Sequence, residues 1–308
     1  MATVNSVGSK PYRVLVPLDG SHPAESALVY LPALRRLGSL HVDLLSVVEE
    51  SGDAVAPGED IERERNLLSA YLGKVAADIE EHLSAGTEAH IENGVPTDVI
   101  HRLEQELAVD LILLATHART GFDRWRRGSV TDEVIRGANS SILVVGPQAS
   151  SGHSLWLDAE RTPTFTNILV PLDGSELAEK ALHTAEQFAK AFGAQIHLLR
   201  VLTPAFHTEH PLAPKDAEPT FFYTKPQAER SLKEAAGKLA SPEAARIEVL
   251  LGHAEEQISK YIGSNGIDLV ALTTHGRSGL ARAALGSVTE HLLKGPVPLL
   301  VVPSTPHP

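Results

Sequence analysis

Two stretches of this 308-residue chain repeat each other at a spacing that only a whole domain fills. Residues 14 to 28 read VLVPLDGSHPAESAL and residues 169 to 182 read LVPLDGSELAEKAL. Further on, THARTGFDRWRRGSVTDEVI at 116 to 135 is echoed by THGRSGLARAALGSVTEHLL at 274 to 293. Asp19 pairs with Asp173 at an offset of 154, whereas Gly94, Asp110, His117, Gly128 and Thr131 pair with Gly252, Asp268, His275, Gly286 and Thr289 at an offset of 158, so the second copy carries four inserted residues. Each copy is about 145 residues, enough for one domain with a full core. The period is also far longer than the roughly 20 to 50 residues of a solenoid unit. The expected organisation is a first domain over residues 1–147, a linker over 148–164 and a second domain over 165–308.

Within each copy the apolar runs are short and nearly continuous in Leu, Ile and Val. They fall at 13–17, 42–48, 89–92, 111–115 and 141–145, and again at 168–171, 196–202, 246–251, 269–273 and 299–302. Continuous runs mark strands buried on both faces, as in a parallel sheet. Helical periodicity lies between them, for instance at Leu68, Leu72, Val75, Ile79 and Leu83, or at Ala178, Ala181, Leu182, Ala185, Phe188 and Phe192. Strands alternating with helices give right-handed crossovers. The expected fold is α/β, with two tandem doubly wound domains, each a five-stranded, mainly parallel sheet flanked by helices. Pro17 and Pro171 close their strands because proline donates no ladder hydrogen bond. Ser21 and Ser175 stand where N-caps belong.

Composition removes several classes of function. The net charge of −12 opposes binding to nucleic acid or anionic lipid, and no leader or membrane-length apolar run is visible, so a cytoplasmic protein is expected. Zero cysteines exclude disulfides and thiol catalysis. No Walker lysine, nucleophile elbow or dinucleotide glycine triplet is present; neither His117 nor His275 has a partner at ligand spacing, and His207 and His210, which flank Glu209 in the loop at 203–224, are a weak alternative for a transition metal. No catalytic residue and no metal site is assigned.

Ligands of open parallel sheets bind at the carboxyl ends of the strands. Asp19 and Asp173 follow the first strand of their copies at that edge, and the loops beginning Thr116-His117 and Thr274-His275 follow the fourth. In the second loop Gly276 is separated by nine residues from Gly286-Ser287, which opens a helix. Ser287 and the amides of Val288 and Thr289 suit phosphate, with Arg277 adding positive charge.

These motifs resemble the universal stress protein family in a tandem form, over nearly the whole chain outside the first dozen residues, the linker and a long loop at 203–224. The resemblance implies an adenine nucleotide alpha hydrolase-like fold that binds ATP, with magnesium carried on its phosphates, and at most slow hydrolysis. It places the adenosine part against Asp173, the Val201 backbone and Thr273 in the C-terminal copy, and the phosphates against Gly276, Arg277, Gly286, Ser287, Val288 and Thr289. A weaker ATP or anion site in the N-terminal copy involves Asp19, Val47, Ala115, Ala118, Arg119, Gly128, Ser129 and Val130. Family glycines are replaced by Thr273 in the second copy and by Ala115 and Ala118 in the first, and a Cβ at Ala118 intrudes where the phosphates would pass. The implied role is a nucleotide-dependent stress-response sensor or regulator acting on unknown protein partners. Its two copies form an internal pseudo-dimer, and a homodimer of such chains is compatible with the sequence. The competing reading is a nucleotide-free interaction protein that takes another small ligand or a protein partner.

Overall fold

The computed structural model of the chain describes residues 10–49, 58–116, 129–147, 162–203, 224–273 and 285–303. Two compact units meet in the chain between Leu114 and Ala115. The first unit contains β1 (Tyr12–Pro17), α1 (His22–Glu25), α2 (Leu31–Leu34), β2 (Leu40–Val48), α3 (Gly58–Leu83), β3 (Gly86–Asn93), α4 (Pro96–Glu106) and β4 (Leu111–Ala115). Its strands run in the order β3-β2-β1-β4, all parallel, with Val14 opposite both Val42 and Leu111. Val14, Leu15, Val16, Val42, Leu44 and Leu111 are fully buried, which is why the strand runs are apolar throughout.

Short helices follow β1 for local reasons. Ser21 Oγ accepts the Ala24 amide at 3.3 Å and caps α1, and Pro23 is tolerated in its first turn. Pro32, which lacks an N–H, falls in the middle of the apolar stretch that follows, and residues 22–37 alternate between α-helical and tighter 3-10 turns. The second copy has no proline there and builds a longer helix.

The second unit contains α5 (Ser129–Gly137), β5 (Ser141–Val145), β6 (Asn167–Pro171), α6 (Glu176–Glu179), α7 (Ala181–Phe192), β7 (Gln195–Leu202), α8 (Lys225–Ala236), β8 (Arg246–Leu251), α9 (Ala254–Asn265), β9 (Leu269–Thr273), α10 (Ser287–Leu292) and β10 (Leu299–Val302). The order of its strands is β5-β10-β9-β6-β7-β8, parallel except where β10 meets β5. There Leu300 lies opposite Leu143 in an antiparallel pair. By sequence β5 ends the first copy, yet it packs as a strand of the second unit. Beyond β5 the chain passes so close to the end of α10 that a Cβ on Gly146 would sit 2.6 Å from the Leu293 carbonyl oxygen. Phe165, Phe188 and Phe192 meet under α7, with the Phe165 and Phe192 rings 4.8 Å apart and edge-on.

Strand positions read from the sequence hold to within one to three residues. The helix on Leu72, Val75, Ile79 and Leu83 buries all four and starts at Gly58, well before Leu68, where the periodic stripe begins. Leu68, on the same periodic stripe, is only half-buried.

Candidate functional site

In the second unit β6 lies between β9 and β7, all three parallel, so their carboxyl ends share one edge. The chain departs from β6 to β7 and β8 on one side and returns to β9 and β10 on the other. This is the switch point at which open α/β sheets leave a crevice. Asp173 stands there, two residues beyond Pro171. Its Oδ1 accepts the Ser175 amide at 2.9 Å and the Ser175 hydroxyl at 2.6 Å, while Ser175 Oγ accepts the Ala178 amide at 3.2 Å to cap α6. The turn therefore fixes the carboxylate. Gly174, with φ of +85°, completes it, and a Cβ there would collide with the Arg200 guanidinium. Arg200 is 2% exposed and precedes Val201 on β7, so a buried cation packs against this turn.

Thr273 ends β9 and is buried. Gly286 is the N-cap of α10 and Ser287 its first residue; the first helical hydrogen bond runs from the Glu290 amide to the Gly286 carbonyl at 3.0 Å. The Val288 and Thr289 amides thus precede the helix ladder. The Ser287 hydroxyl donates to Glu255 Oε1 at 2.6 Å, from α9. That hydrogen bond, followed by one from its own backbone amide, lowers the Glu255 pKa and keeps it ionised. Sequence reasoning missed Glu255, which reads as an ordinary acid in a helix's first turn. Gly276 and Arg277 lie outside the described residues.

In the first unit Asp19 follows β1 in the same way, its Oδ1 accepting the Ser21 amide at 2.9 Å. Val47 is half-buried on β2, next to Ser46, whose hydroxyl donates to the Leu18 carbonyl at 2.7 Å. Ser46 takes the place that Arg200 has in the other copy. Of the remaining N-terminal positions, Ala115 ends β4, Ser129 opens α5 and Val130 is half-buried behind it. Ala118, Arg119 and Gly128 lie outside the described residues.

A polar cluster that the sequence did not reveal occupies the amino end of the first unit's sheet. Asp43 on β2 is fully buried and receives Arg13 Nε at 2.6 Å, the other Arg13 donor at 2.9 Å and His90 Nε2 at 2.9 Å. Burial alone would raise the Asp43 pKa; the hydrogen bonds from Arg13 and His90 outweigh it and hold the carboxyl at about 2. The same contact raises the His90 pKa. His41, Asp43 and Glu88 bring ligand atoms within 4.8 Å of one another. Both Asp43 oxygens are already committed to donors, and the guanidinium beside them repels a cation, so the donor set fits an ion-paired staple across β1, β2 and β3 better than a metal centre.

The sequence profile of the universal stress protein family matches residues 12–146 and again 164–303. The chain belongs to the universal stress protein family. A universal stress protein of Mycobacterium tuberculosis is 25% identical over 307 residues, covering 95% of this chain and 97% of its own length. A Synechocystis universal stress protein is 26% identical over 193 residues, 62% of this chain, and the chain spans 57% of that relative. The crystal structure of a universal stress protein from Archaeoglobus fulgidus superimposes with a TM-score of 0.69 at 18% identity, covering 96% of this chain and all of that one, and so shares the fold. Among the described residues no helix is long and apolar enough to cross a membrane.

Proposed function

We propose that this universal stress protein binds ATP in its C-terminal copy and changes its protein contacts with nucleotide occupancy. The observation that carries the reading is the single edge formed by β9, β6 and β7. It gathers the turn-fixed Asp173 carboxylate, Val201 and Thr273, with the short helix α10 and Ser287 in the same unit. A fixed carboxylate is an acceptor for ribose hydroxyls, Val201 offers backbone to a base edge, and the buried Arg200 adds positive charge beside the turn.

Glu255 bears on the metal. Its ionised carboxylate, hydrogen-bonded to Ser287, repels bare phosphate but suits a magnesium ion, which binds through one or two carboxylates together with phosphate oxygens. Magnesium would neutralise charge at that end of the ligand; Ser287 and Glu255 would hold and orient it.

The experiment is calorimetric titration of ATP with and without magnesium into the wild type and Gly276→Val. Binding that needs magnesium and is lost in the variant is expected, and equal affinity in both proteins, or none in either, rejects the reading. Cyclic AMP is titrated alongside, since one solved universal stress protein is in complex with it. The Ser287 to Glu255 hydrogen bond also favours a second reading, a nucleotide-free interaction protein, because it uses the hydroxyl proton a phosphate would take. Mass spectrometry of the purified protein that finds a co-eluting molecule other than an adenine nucleotide would support that alternative.

A further inference from the structure

The two copies differ in what approaches the turn after their first strand. In the N-terminal copy α3 extends past its buried stripe toward the carboxyl edge of the sheet. Leu68 Cδ2 lies 3.8 Å from where a side chain on Gly20 would begin, directly after Asp19. One turn on, the Tyr71 hydroxyl is buried; burial first, then the neighbouring Glu25 and Asp19 carboxylates, push its pKa far above the ordinary phenol range. Arg65, one turn earlier, donates to the Ile91 carbonyl at 3.2 Å and to Asn93 Oδ1 at 2.7 Å, pinning this half of the helix over the end of β3.

The same helix in the C-terminal copy is used otherwise. Leu72, Val75 and Ile79 of α3 correspond to the buried Leu232, Ala235 and Leu239, a constant offset of 160. Carried back along the helix, that offset sets Leu68 against the buried Ala228 and Tyr71 against Ser231. Both are smaller side chains, and α8 begins just before them at a capping box in which Thr224 Oγ1 accepts the Gln227 amide and Gln227 Oε1 accepts the Thr224 amide at 2.9 Å. The turn at Gly174 faces the Arg200 guanidinium, and Glu179, the counterpart of Glu25, is paired with Lys238. One turn is thus faced by a leucine and a buried phenol, the other by the Arg200 guanidinium.

We infer that Leu68 and Tyr71 fill the adenosine corner beside Asp19, so that the N-terminal copy excludes a nucleoside and the C-terminal copy alone takes it. The inference rests on the nucleotide reading for the C-terminal copy, but the contacts that fill the corner lie in the first unit. The Tyr71 hydroxyl is buried beside the Glu25 and Asp19 carboxylates, and Leu68 closes the approach over Gly20. The residues act as specificity determinants built into the chain.

The test uses the full-length chain and photolabelling with azidoadenosine, which has no phosphates and so does not depend on the phosphate loop, followed by peptide mapping. In the wild type, label is expected on peptides carrying Asp173 and Val201 and at background level on those carrying Asp19 and Val47. In Leu68→Ala/Tyr71→Ala, label on the Asp19 and Val47 peptides should rise to the level of the C-terminal copy. Equal labelling of both copies in the wild type, or no gain in the folded variant, overturns the inference. Labelling of neither copy in the wild type with gain at Asp19 in the variant would support it while rejecting the nucleotide reading of the C-terminal copy. Should the double variant fail to fold by circular dichroism, Leu68→Ala alone is read by the same criteria.

Discussion

Asp43 shows what a single residue commits a fold to. A fully buried carboxylate survives in this sheet because Arg13 grips both its oxygens and His90 adds a third hydrogen bond. Replacing Arg13 by Met leaves that charge half-paired, and a loss of about 3 to 5 kcal/mol in urea unfolding is expected. The pH dependence follows from the direction of each shift. His90 has a raised folded pKa, so its contribution is complete below its unfolded value of about 6.5 and fades as pH rises through the folded value. Asp43 is depressed to about 2, so its contribution is present above an unfolded value of about 3.9 and fades as pH falls toward 2. His90→Gln should therefore lower the melting temperature more at about pH 5 than at about pH 8.5, and an equal drop at both would refute the pairing. Charges facing this contact come from all three strands: Arg13 on β1, His41 on β2 and Glu88 on β3. None of this was legible beforehand. The members are scattered between residues 13 and 90, and only the strand register, with Asp43 opposite Glu88, brings them together.

At the level of elements, legibility followed the number of faces an element buries. Strands enclosed on both sides, such as Leu111–Ala115 and Leu299–Val302, show in the sequence as unbroken apolar runs because every side chain is removed from water. Half-buried β3 showed only weakly, since its outward residues are polar. Helix starts were legible where one side chain does the capping, as at Ser21 and Ser175. They were not where two elements cooperate: the Ser287 to Glu255 hydrogen bond spans 32 residues, and no local rule signals it. Thr224 offers a quantitative check on the cap argument. Thr224→Ala should cost about 1 kcal/mol by removing the capping box, measured by chemical denaturation, with its effect on hydrogen exchange concentrated in the first turn of α8. Uniform loss of protection along the helix would show that tertiary packing, not the cap, sets where it begins.

For the whole molecule, duplication answers a problem of exposed edges. Leu299, Leu300, Val301 and Val302 are all buried in β10, and one side of that strand pairs antiparallel with β5, which the sequence assigns to the other copy. An apolar strand left with an open ladder is a template for pairing with another chain. Expressed alone, residues 164–308 would lose β5 and Gly146, and with them the cover over β10 and the close approach to the end of α10. That fragment is expected to pair β10 with β10 of a second fragment, since an antiparallel pair can be made from two identical strands about a two-fold axis. Sedimentation equilibrium should then report a dimer whose dissociation upon dilution is accompanied by loss of β structure, whereas the full-length chain keeps its sheet at every concentration. A fragment that stays monomeric and folded on dilution would mean that β10 does not need β5. The tandem arrangement would then have to be explained by something other than the edge it covers.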